Sequence, residues 1–400
     1  MILLWPGEHR AGDTFTEAAF LHAMVQIEDA WLTVLPTTGA LASSASVLDL
    51  VSDADMIDLI DESEVHGNPV IALVALLRQR LRAAGHDDAA TWLHRGLTSQ
   101  DVIDTALMVC ARQAVNRIRG EITGQLDALT DLVNTHRNTP MVARTLTQPA
   151  VPTTFGAKAA TWLHGVLDAA EALAALRFPV QLGGAAGTLS GLVELVGPAA
   201  ARRARRRLAK ALTLSESPPW HTQRTAVTRI GDAAVTVTDA WGRIANDVLA
   251  LGRPEIGELS EGTGGGSSTM PHKSNPTMSV LIRRAALAGP PLATTLHLSA
   301  AGQVDERADG AWHVEWDTLA VLLRRTVVSA AHTRKLLVGL QVHPDTMARR
   351  LSQMSGDVHA EQRALAAIAG HEPSGAFTGL IDDLIDEALH RAHHHLQEMP

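Results

Sequence analysis

The stretch Gly266-Ser267-Ser268-Thr269-Met270-Pro271-His272-Lys273-Ser274-Asn275-Pro276 places hydroxyls, an amine and an amide directly after a glycine run that starts at Gly262. Such a run has little backbone stiffness and no side chain to bury, which predicts a mobile loop. A mobile loop carrying a potential base, a cation and an amide donor suits a lid. It can close on an anionic substrate, exclude water and complete a site. A Gly/Ser linker would account for the glycines and serines, but not for the Met-Pro-His-Lys-Ser-Asn-Pro that follows them.

This stretch resembles the GSS-x-MP-x-K-x-NP signature of the fumarase/aspartase superfamily. His94-Arg95-Gly96-Leu97-Thr98-Ser99-Gln100-Asp101 is similar to the superfamily's HxGxTSxD region. Ala143-Arg144-Thr145-Leu146-Thr147-Gln148-Pro149-Ala150 is similar to its GRTHxQPA region, with Ala143 for the glycine and Leu146 for the histidine. The resemblance runs from about Phe15 to about Ala364. Members of this superfamily make or break a C–N or C–O bond β to a carboxylate. A base removes the proton α to that carboxylate, and the resulting aci-carboxylate needs aimed donors and cations in a closed site. The resemblance implies that Ser267 is the base, with His94 also at the reacting centre. It implies substrate contacts from Thr98, Ser99, Thr145, Gln148, Ser268, Lys273 and Asn275. A serine hydroxyl is a very weak acid and needs nearby amides and a cation to hold its oxyanion. Thr98 and Ser99 precede a long helical pattern, where free N–H groups and the dipole favour anions; they also suit a plain capping role.

Leu146 is the informative departure. Amine and hydroxide are poor leaving groups unless protonated, so a histidine there can act as general acid. Leucine cannot donate a proton. Either another residue donates, or the leaving group is an anion such as carboxylate, whose conjugate acid has a pKa of about 4. The second case fits the branch that closes 3-carboxy-cis,cis-muconate to a lactone in aromatic catabolism. Gln181–Thr188, Pro219–Arg224 and Trp312–Trp316 resemble the QxGGAAGT, PWHxxR and WxxEW stretches of that branch. On this reading Arg224 takes the third carboxylate of a tricarboxylate, against a surface arginine at a helix start. His221 contacts the substrate or is a satisfied structural histidine, and Glu315 lies at the site to orient His or Lys groups or is an ordinary helix-face carboxylate. The alternative is a lyase releasing fumarate from a substituted succinate, adenylosuccinate-like or a specialised metabolite whose leaving group needs no proton. A non-catalytic protein on this fold is disfavoured by the intact Ser267, Lys273 and Asn275.

The elements that must position these residues read as almost entirely helical. Apolar residues recur every three or four positions from Asp101 to about Arg137, through Ile103, Leu107, Cys110, Ala114, Ile118, Ile122, Leu126, Leu129 and Leu132. That predicts a helix of roughly 50 Å, which only other long helices can cover. Thr153–Leu176, Arg224–Leu251, Ser279–Leu298 and Trp312–Val338 read as its partners. Gly/Pro-rich breaks are expected at 178–187, 215–220, 253–276 and 289–291. No strong strand pattern is evident, though short extended pieces near the loops are allowed for. The expected organisation is an all-α, three-part fold: residues 1–94 a helical N-terminal domain, 95–340 the long-helix bundle with the loop, and 341–400 a short helical C-terminal region.

The chain has 400 residues, 46% hydrophobic and 19% charged, as in ordinary globular proteins. A net charge of -9, 3% aromatics and no tyrosine argue against a nucleic-acid partner. Arg202–Arg207 reads as a solvated helix face, and His393-His394-His395 as a solvated end. The single cysteine, Cys110, falls in an apolar helical stripe and reads as core. No metal-site motif, leader or membrane-length run is present, so the expectation is a cytoplasmic enzyme with no metal or cofactor, acting on a small polycarboxylate. The resemblance further implies a homotetramer whose sites are assembled from three subunits.

Overall fold

The computed structural model describes residues 3–398 apart from Ser43, Thr263, Ser267, Ser268, Pro271, His272, 355–357, Ser374 and Ala376, with the backbone alone for Glu398. The fold is all-α in class. Thirteen α-helices are found among the described residues. In chain order they begin with α1 (Glu17–Val34), α2 (Met56–His66), α3 (Val70–Ala83), α4 (Asp87–Trp92) and α5 (Ser99–Thr135). A hairpin of β1 (Pro140–Thr145) and β2 (Gln148–Thr154) leads into α6 (Phe155–Ala174), α7 (Ser190–Ala211) and α8 (Thr225–Leu251). Then come β3 (Leu259–Glu261), α9 (Thr277–Ala301), α10 (Gly310–Gly339), β4 (Leu340–Val342), α11 (Pro344–Gln353), α12 (Ala360–Ala369) and α13 (Ile381–Glu398).

The bundle directions follow from the bonds at helix ends. Asp104 near the start of α5 binds Arg224 just before α8 and the indole of Trp312 at the start of α10, so these three helices run the same way. Ser299 at the end of α9 donates to Glu315 in α10, so α9 runs against them. Gly156 at the start of α6 donates its N–H to the His136 carbonyl just past α5, so α6 also runs back. A Cβ at Gly156 would lie 2.6 Å from the Arg137 Cα and 2.8 Å from the His136 carbonyl oxygen, so only glycine allows this return. One hydrophobic cluster continues from Leu21 in α1 through the bundle to Ala392 in α13. The boundary expected at 340 falls within β4, which pairs antiparallel with β3.

Cys110 is buried in α5 as its periodicity predicts, and burial pushes its thiol up to about 12. The basic run lies on α7 beyond a kink at Gly197-Pro198, where Arg205 pairs with Glu216 at 3.1 Å. Two expectations are corrected. The break at Gly289-Pro290-Pro291 does not occur: α9 passes through it. Both prolines face solvent, and Gly289 sits close to Thr238 of α8, so packing on α8 and α10 outweighs two lost backbone bonds. The GRTHxQPA-like region, placed in no element by sequence, forms the β1–β2 hairpin.

His332 of α10 is buried at the N-terminal strap, where its ring lies 2.6 Å from the position a Cβ on Gly7 would take. Burial first, then the charges of Arg10, Arg284, His9 and Lys335, hold its imidazole down to about 4. The folded-state value lies below the unfolded one of about 6.5, so its contribution is fully present above that pH and is lost as pH falls toward 4. Urea unfolding free energy is expected to decline between pH 7 and pH 5, and less steeply in His332→Gln; equal slopes in the two proteins would refute this.

Candidate active site

The residues singled out by sequence gather at two opposite ends of the bundle. The first group surrounds the N-terminus of α5. Thr98 is its N-cap in extended conformation, and its N–H donates to Asp101 at 3.0 Å; Ser99 opens the first turn, half-buried. The Thr98 hydroxyl meets the guanidinium of Arg307, which follows α9. His94 stands four residues before the cap with φ +63, its Nδ1 2.6 Å from the fully buried Glu28 carboxylate of α1. Half-exposed hydroxyls at a helix N-terminus beside a histidine and an arginine form a cradle suited to a carboxylate.

Beneath the cradle lies a buried ionic network. Asp101 accepts from the N–H groups of Gly183 and Gly184 at 2.8 and 2.9 Å and pairs with His221 Nε2 at 3.0 Å. It thereby pins the glycine-rich 181–188 segment against α5. Asp104 accepts from Arg224 through both oxygens at 2.8 Å, from Trp312 at 2.9 Å, and from Gln100 and Gln181 at 3.2 Å each. On its other side Arg224 donates to Glu315 at 2.9 Å from Nε and 2.5 Å from Nη2. Burial alone would lower the Arg224 pKa, but Asp104 and Glu315 outweigh it and hold the guanidinium above the ordinary arginine range. Burial pushes the Glu315 carboxyl up, with Arg224 opposing.

This network revises three expectations. Arg224 is 0% exposed and every N–H it has is engaged, so it is not open to a third substrate carboxylate. Glu315 is equally enclosed. His221 is 4% exposed, with Nδ1 facing no partner among the described residues, and its ring is packed on Gly183. All three hold the floor together rather than line the opening.

The second group lies at the far end. Thr145 and Gln148 are the pair flanking the hairpin turn, whose central residues Leu146 and Thr147 have φ +46 and +71. Positive φ at both positions is the twist-matched geometry of a two-residue hairpin, although neither residue is the glycine or asparagine usually found there. Thr145, Leu146, Thr147 and Gln148 are all exposed, Leu146 by 96%. Arg144 anchors the hairpin through a bidentate pair with buried Glu258 at 2.7 and 2.9 Å. Glu261 of β3 caps α9, accepting from Met278 N, Ser279 N and the Ser279 hydroxyl at 3.0, 2.7 and 2.7 Å. Between them the loop is closed at its neck by paired bonds of 2.8 Å between Gly265 and Asn275. The Asn275 amide donates to the Gly266 carbonyl at 3.1 Å, and Lys273 is exposed. Side chains at Gly264 and Gly265 would collide with Ser274 and Thr277, which explains part of the glycine run. Ser267 and Ser268 lie outside the described residues.

The two groups are separated by the length of the helices between them. Arg307 follows α9 and Asn275 precedes it, and 25 helical residues span roughly 37 Å. One chain does not bring Thr98 and Asn275 to a common substrate. Sequence reasoning missed Glu28, Asp104, Glu258, Glu261 and Arg307. Asp101 was visible within the HxGxTSxD-like motif, but its pairing with Gly183, Gly184 and His221 was not. Among the described residues no cluster of three or more histidine, cysteine or carboxylate side chains is arranged to hold a metal, and no helix is long and apolar enough to cross a membrane.

Removing Arg224 leaves two buried carboxylates without a counter-charge. Arg224→Gln is therefore expected to lower unfolding stability by about 3–5 kcal/mol, as read by urea denaturation. A variant of native stability with only a raised KM would restore the substrate-contact reading.

A family model described as Lyase matches residues 48–288. A nitrosuccinate lyase of Streptomyces davaonensis is 40% identical over 398 residues, covering 92% of this chain and 83% of that protein. A 3-carboxy-cis,cis-muconate cycloisomerase of Pseudomonas aeruginosa is 34% identical over 363 residues, covering 88% of this chain and 78% of that protein. Among solved structures, the 3-carboxy-cis,cis-muconate lactonizing enzyme from Pseudomonas putida superposes with a TM-score of 0.84 at 26% identity, covering 96% of this chain and 97% of that one. With its three motifs distributed over a long-helix bundle and relatives of this similarity, the chain is an enzyme of the lyase family within the fumarase/aspartase superfamily.

Proposed function

We propose that this enzyme eliminates a stable anion from a substituted succinate, and that 2-nitrosuccinate, yielding fumarate and nitrite, is its substrate. The observation that carries the anionic leaving group is Leu146 at the tip of the hairpin, where a proton donor to the leaving group would stand. Nitrite, like carboxylate, is the anion of an acid that is already ionised at neutral pH, so it leaves without a general acid. Two further points favour a dicarboxylate. The nitrosuccinate lyase relative matches 92% of the chain, and Arg224, the cation expected for a third carboxylate, is committed to Asp104 and Glu315.

In this reaction Ser267 takes the proton from the carbon next to the distal carboxylate. The C–H electrons form the double bond, and the neighbouring C–N bond breaks with its pair going to nitrite. Lys273 and Asn275 hold the carboxylate on which the aci-carboxylate charge develops, while Thr98 and Ser99 hold the other at the helix N-terminus. Thr145 and Gln148 complete the enclosure. Because the two groups of residues lie at opposite ends of one chain, the site is completed between copies in a homo-oligomer, with tetramers as the resemblance implies.

The second reading, lactonisation of 3-carboxy-cis,cis-muconate, is favoured by the TM-score of 0.84 and by the 181–188 and 219–224 stretches. There Ser267 delivers a proton to the α-carbon while a carboxylate adds to the double bond. Both leaving groups are anions, so Leu146 is neutral between them.

Purified protein is expected to release nitrite and fumarate in equal amounts from 2-nitrosuccinate. It is expected to leave the diene absorbance of 3-carboxy-cis,cis-muconate largely unchanged. Ser267→Ala is expected to lower kcat by roughly 10²–10⁴-fold. Loss of the diene absorbance without nitrite release would replace the first reading by the second, and inactivity on both would sink the pair.

A further inference from the structure

Glu28 lies in none of the three motifs, yet α1 presents it to the first of them. Its carboxylate is 0% exposed and sits 2.6 Å from His94 Nδ1, while the His94 side chain keeps 18% exposure. Its second oxygen has no hydrogen-bond partner among the described residues. The backbone around His94 is gripped on both sides. Trp31, one turn after Glu28 on α1, donates its indole N–H to the Arg95 carbonyl at 2.8 Å. Arg78 of α3 donates to the Leu93 carbonyl at 2.8 Å. Three side chains from two helices thus hold three successive residues, the middle one at φ +63. A non-glycine residue persists in that conformation only when its surroundings over-determine it.

The bond to Glu28 fixes which nitrogen meets a ligand. With Nδ1–H given to Glu28, Nε2 is the free nitrogen. An Nε2–H aimed at an anion then requires the doubly protonated ring, and an ionised Glu28 is the counter-charge that this form needs in a largely buried setting. Arg78 is the cation that registers the Glu28 charge, with Arg95 and Arg82 also acting on it. Burial holds the Arg78 guanidinium below the usual range, with Arg95 pushing the same way and Glu28 opposing.

We propose that Glu28 is a positioning residue: it holds His94 as an imidazolium whose Nε2–H, together with Thr98 and Ser99, receives one carboxylate of the substrate. This deepens, and rests on, the reading that the substrate is a dicarboxylate. A buried strut that only packs α1 against the motif would need neither the charge on Glu28 nor the proton on His94.

The test uses the full-length protein labelled with ¹⁵N-histidine, at neutral pH, as wild type, Glu28→Gln, Glu28→Asp, His94→Gln and the double variant Glu28→Gln/His94→Gln. Solid-state spectra identify the His94 signal by its loss in His94→Gln, and calorimetry measures the affinity for fumarate. The wild-type signal is expected to be that of a doubly protonated ring. Glu28→Gln, which keeps the acceptor but removes the charge, is expected to shift it to the neutral form with the proton on Nδ1. Fumarate affinity should fall about tenfold, with little further loss when Glu28→Gln is added to His94→Gln. Glu28→Asp, which keeps the charge, should retain the doubly protonated signal and recover part of the affinity. A neutral His94 in the wild type, a fall in affinity without a change in the signal, or additive losses in the double variant would overturn the proposal. Failure of wild-type protein to bind fumarate would count against the dicarboxylate reading itself; the histidine spectra would then still decide whether Glu28 sets the form of the ring.

Discussion

The Arg224 guanidinium, closed between Asp104 and Glu315, is the interaction on which the rest of the structure depends. Taking three charged groups out of water is tolerable only when nearly all their donors and acceptors are used, so the geometry around them has little freedom. That geometry ties α5, α8 and α10 together near their starts and receives α9 through Ser299. Long helices carry a register set at one end to the other. The positions of the hairpin, of β3 and of the loop neck at the far end therefore follow from a contact several turns away. The Arg144–Glu258 pair and the Glu261 cap finish the arrangement there.

The sequence made the helices legible because each has an uninterrupted stripe. The pattern from Asp101 to about Arg137 became α5 from Ser99 to Thr135, and Arg224–Leu251 became α8 from Thr225 to Leu251. It misread α9 at Gly289-Pro290-Pro291 because local propensity was read without the two helices packed on either side. The hairpin was invisible because its turn uses Leu146 and Thr147 at positive φ instead of glycine or asparagine. In the site, motif spacing identified the right segments but not the direction in which each side chain points. Arg224 in a PWHxxR stretch reads as a substrate clamp or as a surface arginine at a helix start, and the structure makes it a buried strut instead. Only the carboxylates that face it, one from α5 and one from α10, decide this. Glu28 carries no signal in the chain at all: it is one carboxylate among several on an amphipathic helix until the fold sets it against His94.

Fold similarity to a lactonizing enzyme and sequence similarity to a nitrosuccinate lyase point to different substrates, as is common where one scaffold hosts several chemistries. On the proposed readings both chemistries would call on the same anion cradle at a helix end and the same loop serine as base. They differ in the atoms that leave. An enzyme whose leaving group is a ready-made anion needs good electrostatics and closure more than it needs proton traffic. That is consistent with a site rich in hydroxyls, amides and cations.

Leu146 has a consequence for how such an enzyme can change. Its left-handed backbone is imposed by the hairpin, and histidine and asparagine enter that region more readily than leucine. The turn therefore gains nothing conformational from a leucine, and the side chain rests on no core that would resist its exchange. A single codon change there can add or remove a proton donor while leaving α5, α6 and their hairpin connection undisturbed. On the proposed reading, the tip is thus a point of low mutational resistance at which a lineage can exchange a leaving group that needs a proton for one that does not.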